Sequence, residues 1–361
     1  MADFFEIDFL DVESTKSGDA ITIRYQLGNV EYIHVVDGGF QSTGEKIVSH
    51  IKKYYGNPSY IDSVVVTHND ADHAGGLRTV LEEFTVNELW MLRPWLYAGE
   101  IIDRFTRFTS VENLEKRLKE IYSNLAALEE VAIERNIPIY APFQGATIGA
   151  FAVMSPTKER YLDLIVESDK TPESIEESTK SALGLLAGAF GEAVAKAASY
   201  LRAAWGEEVF STEETSVENE MSVIQYANIC NSKILLTGDA GRSGLTEAAN
   251  YAPLINLVLP GIDRFQVPHH GSRRNVSTEI LDRWLGERLS QTPSNAKFSA
   301  LISSALKDKD HPRKAVVRAL IHRGGAVYST EGNELCSYGG DAPNRGWGTA
   351  TPATYPEEQE E

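Results

Sequence analysis

Apolar and polar residues alternate along the opening segments Phe5–Leu10, Ala20–Leu27 and Glu31–Val36. That period of two predicts half-buried strands. The third run ends at the glycine turn Val36-Asp37-Gly38-Gly39, after which Glu45–Tyr55 takes the period of a helix. Ile61–Val66 closes on three consecutive valines, the pattern of a strand covered on both faces. A helix at Leu77–Phe84 and a strand at Glu88–Leu92 follow, and this strand–helix alternation predicts an α/β layer architecture.

From about residue 99 to 217 the rhythm changes. Val111–Arg135 predicts one long helix with charges on one face, and Ile139–Ser155 predicts short strands around Gly145 and Gly149. Ser174–Gly206 reads as one or two helices rich in Ala and Gly. Its most apolar window, Ala182 to Ala197, is broken by Glu192 and is too short to span a bilayer. From Met221 the α/β rhythm returns. It predicts strands at Ser222–Tyr226, Lys233–Leu236, Phe265–Val267, Phe298–Ile302 and Ala326–Tyr328, with helices at Gly244–Ala252, Ser277–Leu289 and Pro312–His322. The expected organisation is one domain over 1–340 with a helical insertion at about 99–217, then an acidic, solvated tail over 341–361.

Composition narrows the function classes. A chain of 361 residues, 42% hydrophobic and 24% charged, can bury a sizeable core without staples. Its two cysteines, Cys230 and Cys336, exclude a disulfide framework and fit a reducing compartment. The amino terminus lacks the basic and apolar regions of a secretory leader, so the expectation is a cytoplasmic protein that does not use a membrane. The net charge of −18 repels polyanions at long range and argues against a general nucleic-acid coat protein.

Five of the eight histidines fall in three compact groups. The first is Thr67-His68-Asn69-Asp70-Ala71-Asp72-His73-Ala74-Gly75-Gly76, directly after the predicted buried strand. Four ligand-type side chains lie within six residues there, at the carboxyl end of a strand, where open sheets place their sites. Imidazole with carboxylate suits zinc, manganese or iron. The glycine pair would let the backbone leave the crowded loop. Asp239 reads either as a ligand or as the N-cap of the next helix. His311 reads as a catalytic group or a helix-start residue, and Arg273 and Arg274 as phosphate grips or surface arginines.

These motifs resemble the metallo-β-lactamase superfamily signature His-x-His-x-Asp-His, with Asp70 in place of the second histidine. That Asp-containing version is similar to the hydrolase domain of ComEC-type DNA-uptake proteins. Leu236-Thr237-Gly238-Asp239-Ala240 resembles the family's strand-end Gly-Asp, and Val267-Pro268-His269-His270-Gly271-Ser272 its His-His-Gly-Ser element. Ser303–Pro312 and Ser329-Thr330-Glu331-Gly332 resemble its late segments. The matched elements run over about 4–92 and 218–334.

The resemblance implies an αββα sandwich and two divalent metal ions. His68 and Asp70 would hold one ion, Asp72 and His73 the other, and Asp239 would bridge them; a histidine of the His269–His270 pair, His270 by the closer match, would complete the second site. Asp37 would buttress the metal loop by hydrogen bonding. The family's third-motif histidine has no counterpart in Ser216–Met221, where Asn219 stands as a weak ligand or substrate contact. His269 or His311 would protonate the leaving oxygen, and Ser272, Arg273 and Lys309 would meet substrate. The implied activity is metal-dependent hydrolysis of a phosphodiester such as DNA. The alternatives are hydrolysis of a small ester, lactone or thioester, and a metal-bound scaffold without turnover. The insertion would serve as a lid or as the contact for a second copy or a protein partner.

Overall fold

Two mixed sheets lie face to face in the computed structural model, which describes residues 3–12, 15–106, 108–168, 170 and 200–360. The first runs in the order Leu335–Gly340, Phe4–Phe9, Ala20–Leu27, Val30–Gly38, Tyr60–Val65, Thr85–Trp90 and Ile139–Tyr140. Its last four strands are parallel. The second runs Gly325–Ser329, Phe298–Ile302, Arg264–Gln266, Ser232–Leu236, Ile224–Ile229, Phe151–Ser155 and Thr147–Ile148, with its first four parallel.

Ile21, Ile23, Ile33 and Val35 of the first sheet share one buried cluster with Phe151, Val153, Ile234 and Leu236 of the second. Helices cover the outer faces, among them Gly44–Tyr54 and Leu77–Glu83 on the first sheet and Arg242–Tyr251, Thr278–Leu285 and Lys314–His322 on the second. This is the αββα fold class the motifs implied. No described helix is long and apolar enough to cross a membrane.

Four expectations change. The long helix over Val111–Arg135 is two helices, Val111–Ile121 and Ser123–Glu134, broken at Tyr122 (φ −95°, ψ 50°). Tyr122 turns inward there, is 1% exposed and reaches the sulfur of Met221. The break brings the start of the second helix to the metal loop, where the Leu125 amide donates to Asn69 Oδ1 and Asn124 Nδ2 donates to the Asn69 carbonyl. Of the helical reading of Ser174–Gly206, residues 174–199 lie outside the described residues, and Tyr200–Arg202 is a strand. The helix Lys158–Glu167, N-capped by Thr157, escaped the sequence reading.

The tail is largely exposed over 341–354 but is tied down at Arg345 and at its end. Glu358–Glu360 pairs antiparallel with Tyr200–Arg202, and the Glu360 carboxylate accepts from the Lys314 and Ala315 amides. Those N–H groups open a helix and would otherwise lack acceptors. The polar face of the first strands is likewise buried, not half-buried. Arg345 reaches across it to Glu6 (2.9 Å) and Asp8 (2.8 Å), and Tyr55 donates to Asp8.

Candidate metal centre

The chemistry-bearing residues come together at the carboxyl ends of parallel strands. Val30–Gly38 ends at Asp37, Tyr60–Val65 leads into the loop of His68 to His73, Ser232–Leu236 into Asp239, Arg264–Gln266 into His269 and His270, and Phe298–Ile302 into the loop of His311. Two of these strands belong to one sheet and three to the other, so the site straddles the sandwich.

Around Asp239 the imidazoles divide between its two oxygens. His73 Nε2 lies 3.2 Å and His270 Nε2 4.0 Å from Oδ1, while His68 Nε2 lies 3.9 Å and His269 Nε2 3.6 Å from Oδ2. Asp70 Oδ2 stands 3.8 Å from His68 Nε2, and Asp72 Oδ2 stands 3.6 Å from His270 Nε2. Most of these separations exceed hydrogen-bonding range. Two donors about 2.1 Å from a tetrahedral ion lie roughly 3.4 Å apart, which is the spacing seen here. His68 Nε2, His73 Nε2, His270 Nε2 and Asp239 Oδ1 are all buried without a hydrogen-bond partner. Buried polar atoms are rarely left so, and four at one point fit a shared cation. His68, His73 and Asp239 make one candidate donor group and Asp72, His73 and His270 another.

The opposite edges of the rings are anchored. Asp37, fully buried, accepts from the Thr67 amide (2.8 Å) and hydroxyl (2.6 Å) and from His73 Nδ1 (2.8 Å). His270 Nδ1 donates to the Ser303 carbonyl (2.9 Å), and His68 Nδ1 meets the hydroxyls of Thr67 (3.0 Å) and Ser222 (3.3 Å). Anchoring of this kind fixes the tautomer and aims Nε2 at a metal.

The field at the site favours cations. Burial opposes a charged His73, yet Asp239 and Asp37 outweigh it and hold the imidazole well above its usual range. His270 is likewise raised, to about 9, by Asp239 and Asp72 against burial. Burial works against ionised Asp72 and Asp239, but the neighbouring histidines hold both carboxyls low.

The remaining predicted residues are placed unevenly. His311 packs 5.4 Å from the His269 ring, with Nδ1 3.2 Å from Asp308. Burial and the nearby His270 and His269 lower it to about 4. Asn219 does not join the donors; its amide nitrogen donates to the Thr215 hydroxyl and faces His269 Nδ1 at 3.1 Å. Ser272 is buried and accepts from the Arg274 amide, while Arg274 itself pairs with Glu213. Arg273 is half-buried, and its carbonyl accepts from the Ser211 amide; Lys309 is exposed before His311. Asp239 is not an N-cap, since Gly241 caps Arg242–Tyr251.

Gly75 and Gly76 hold ordinary right-handed helical angles (φ −60° and −82°), so backbone freedom does not explain them. A side chain at Gly76 would run into the Gly38 carbonyl and lie 2.8 Å from the Gly44 amide. The pair lets the metal loop pack directly on the turn behind Asp37.

Sequence reasoning missed Asp19. It is 2% exposed, with Oδ2 3.8 Å from His73 Nδ1 and Oδ1 3.9 Å from His270 Nδ1. Gln266 holds it with a 2.7 Å hydrogen bond, and burial raises its pKa. The one available signal was an acid opening an otherwise apolar-alternating strand. Asp308, which Ser17 holds through its amide and hydroxyl, was missed as well.

Residues 28–111, spanning the strands that carry Asp37 and the metal loop, match the Metallo-beta-lactamase superfamily. Among solved structures the chain is similar to metallo-beta-lactamase SMB-1 bound to 2-mercaptoethanesulfonate, at 10% identity, with 71% of this chain and 78% of that chain covered. The TM-score of 0.29 is too low to compare the two site by site. No curated protein matches the chain. The similarity to that superfamily thus covers the segment of Asp37 and the metal loop, within the two-sheet α/β frame.

Proposed function

We propose that this chain is a metal-dependent hydrolase with a dinuclear centre and that its substrate is a phosphodiester. The observation that carries the reading is the set of buried, unpartnered donor atoms converging on Asp239. Bound divalent cations, zinc or manganese given the mixed imidazole and carboxylate donors, supply Lewis acidity and water activation at such a site. His68, Asp70, Asp72, His73, Asp239 and His270 hold them. Asp37, Ser303 and Ser222 keep the imidazoles turned toward the centre. His311, tethered by Asp308, exchanges a proton with substrate or water beside His269.

The phosphodiester preference is supported by the likeness of the Asp-containing loop and the His-His-Gly-Ser element to ComEC-type hydrolase domains. One observation favours a small ester instead: the net charge of −18 repels a polyanion and is no handicap for a small uncharged substrate.

The deciding experiment reloads apo protein with manganese or zinc and supplies linear and single-stranded DNA, alongside an Asp72→Ala/His73→Ala variant. Metal-dependent cleavage that disappears in the variant upholds the reading. Folded, metal-loaded protein that leaves DNA intact but hydrolyses a small ester shifts the substrate to the second class.

A further inference from the structure

The superfamily resemblance leaves the first metal site one donor short, because no histidine occurs in Ser216–Met221 and Asn219 turns its amide elsewhere. We infer that His269 supplies the missing donor and binds the cation held by His68, Asp70 and Asp239 Oδ2. The inference rests on the hydrolase reading for the presence of the ions.

Three observations carry it. The first is the division of imidazoles at Asp239: His73 and His270 face Oδ1, and His68 and His269 face Oδ2, the last at 3.6 Å. The second is the way the ring is held. Asn275 is fully buried and spends its amide nitrogen on the carbonyls of Asp239 (2.8 Å) and Ala240 (3.3 Å). Its oxygen is therefore the end that meets His269 Nδ1 at 3.0 Å. Asn219 Nδ2 flanks the same nitrogen at 3.1 Å, so the two amides hold the Nδ1 edge of the ring and Nε2 is left 3.6 Å from Asp239 Oδ2.

The third is the backbone. His269 and His270 are consecutive non-glycine residues in the left-handed region, with φ of 49° and 56°. This conformation is uncommon for one such residue and held only where the surroundings impose it. Here it splays the two rings to 65°, with centroids 5.7 Å apart, so neighbours in sequence reach different oxygens of one carboxylate. Each ion then has two imidazoles and two carboxylates: His68, His269, Asp70 and Asp239 for one, and His73, His270, Asp72 and Asp239 for the other. Matched donor sets predict two ions of comparable affinity.

The test is cobalt(II) titration of the full chain, read by the visible spectrum and by metal analysis after dialysis, with His269→Asn and His311→Ala. Asparagine tolerates positive φ, so the turn survives the first change. The expected result is two ions in the wild type and in His311→Ala, but only one tightly held ion in His269→Asn, with the other weakened at least about tenfold. Two ions at wild-type affinity in His269→Asn overturn the inference while leaving the hydrolase reading standing. A wild type that holds a single ion, unchanged by the substitution, also overturns it. A wild type that holds none overturns both.

Discussion

Asp37→Asn tests how much of the metal affinity depends on a residue that touches no metal. The substitution keeps the size of the side chain and suits the left-handed backbone, with φ 56° at this position. Asp37 Oδ1 accepts from the Thr67 amide, and Oδ2 accepts from both the Thr67 hydroxyl and His73 Nδ1. An asparagine keeps the first bond with its carbonyl and then points an NH2 group at His73 Nδ1. The Thr67 hydroxyl can rotate to accept, but two N–H donors cannot face each other. His73 must move its proton to Nε2, the atom 3.2 Å from Asp239 that would bind metal.

A buried hydrogen bond to a charged group contributes about 1.5–3 kcal/mol. Loss of an outer partner of a metal-binding histidine typically costs about 10–100-fold in affinity, equivalent to about 1.4–2.8 kcal/mol. The two estimates overlap, so a 10–100-fold rise in the zinc dissociation constant is expected. Competition with a chromophoric chelator measures it, and circular dichroism establishes that the variant is folded. A folded Asp37→Asn protein whose zinc affinity stays within about threefold of wild type would refute the argument.

Three other perturbations probe the frame. Gly76→Ala forces a methyl group into the Gly38 carbonyl, and overpacking of that kind costs about 1–3 kcal/mol; an unchanged denaturant midpoint would contradict the close-approach account. Arg345→Met strips one partner each from buried Asp8 and Glu6, leaving Tyr55 and His50 on the first and Arg24 on the second, which should cost about 1.5–3 kcal/mol by chemical denaturation. The third concerns pH. His50 lies 3.1 Å from Asp8 and 3.4 Å from Glu334. Burial opposes its charge, but those carboxylates raise its pKa. Its contribution is therefore complete below its unfolded value of about 6.5 and fades as pH rises through the raised folded value. His50 chiefly lowers Glu334; Asp8 is held low by His50 and Arg345 against burial. Their share is present above about pH 4.5 and fades as pH falls through the lowered values. The stability gap between wild type and His50→Gln should narrow between about pH 6 and pH 9, and a gap that stays constant there speaks against the assignment.

The metal loop was legible because its donors are packed into six residues behind a buried strand, and Asp239 because it ends another. Asp19 was not, since it lies about fifty residues before the loop and reaches the site through its amide bond to the Asp72 carbonyl and a bond from Gln266. The break at Tyr122 was hidden for a different reason. The helical period of apolar residues continues across it, and only the pull of the core on one aromatic ring interrupts the backbone. Composition misled over the anchoring of the tail. Its glycines, prolines and acids read as solvated, whereas the informative signal lay at the other end of the chain, in Glu6 and Asp8, two carboxylates facing away from the inter-sheet core that needed a cation to cover them.

The donors come from both sheets. His68, Asp70, Asp72 and His73 are carried by the first sheet, and Asp239, His269 and His270 by the second. A cation pair held among them acts as a rivet through the seam of the sandwich. Neither half carries a full coordination shell, so tight binding reports that the halves have docked, and removing the ions withdraws a clamp as well as a reagent. A chain severed in the loop between Tyr140 and Thr147 would recover its metal only as the two pieces reassemble, and the colour of bound cobalt would follow that reunion directly.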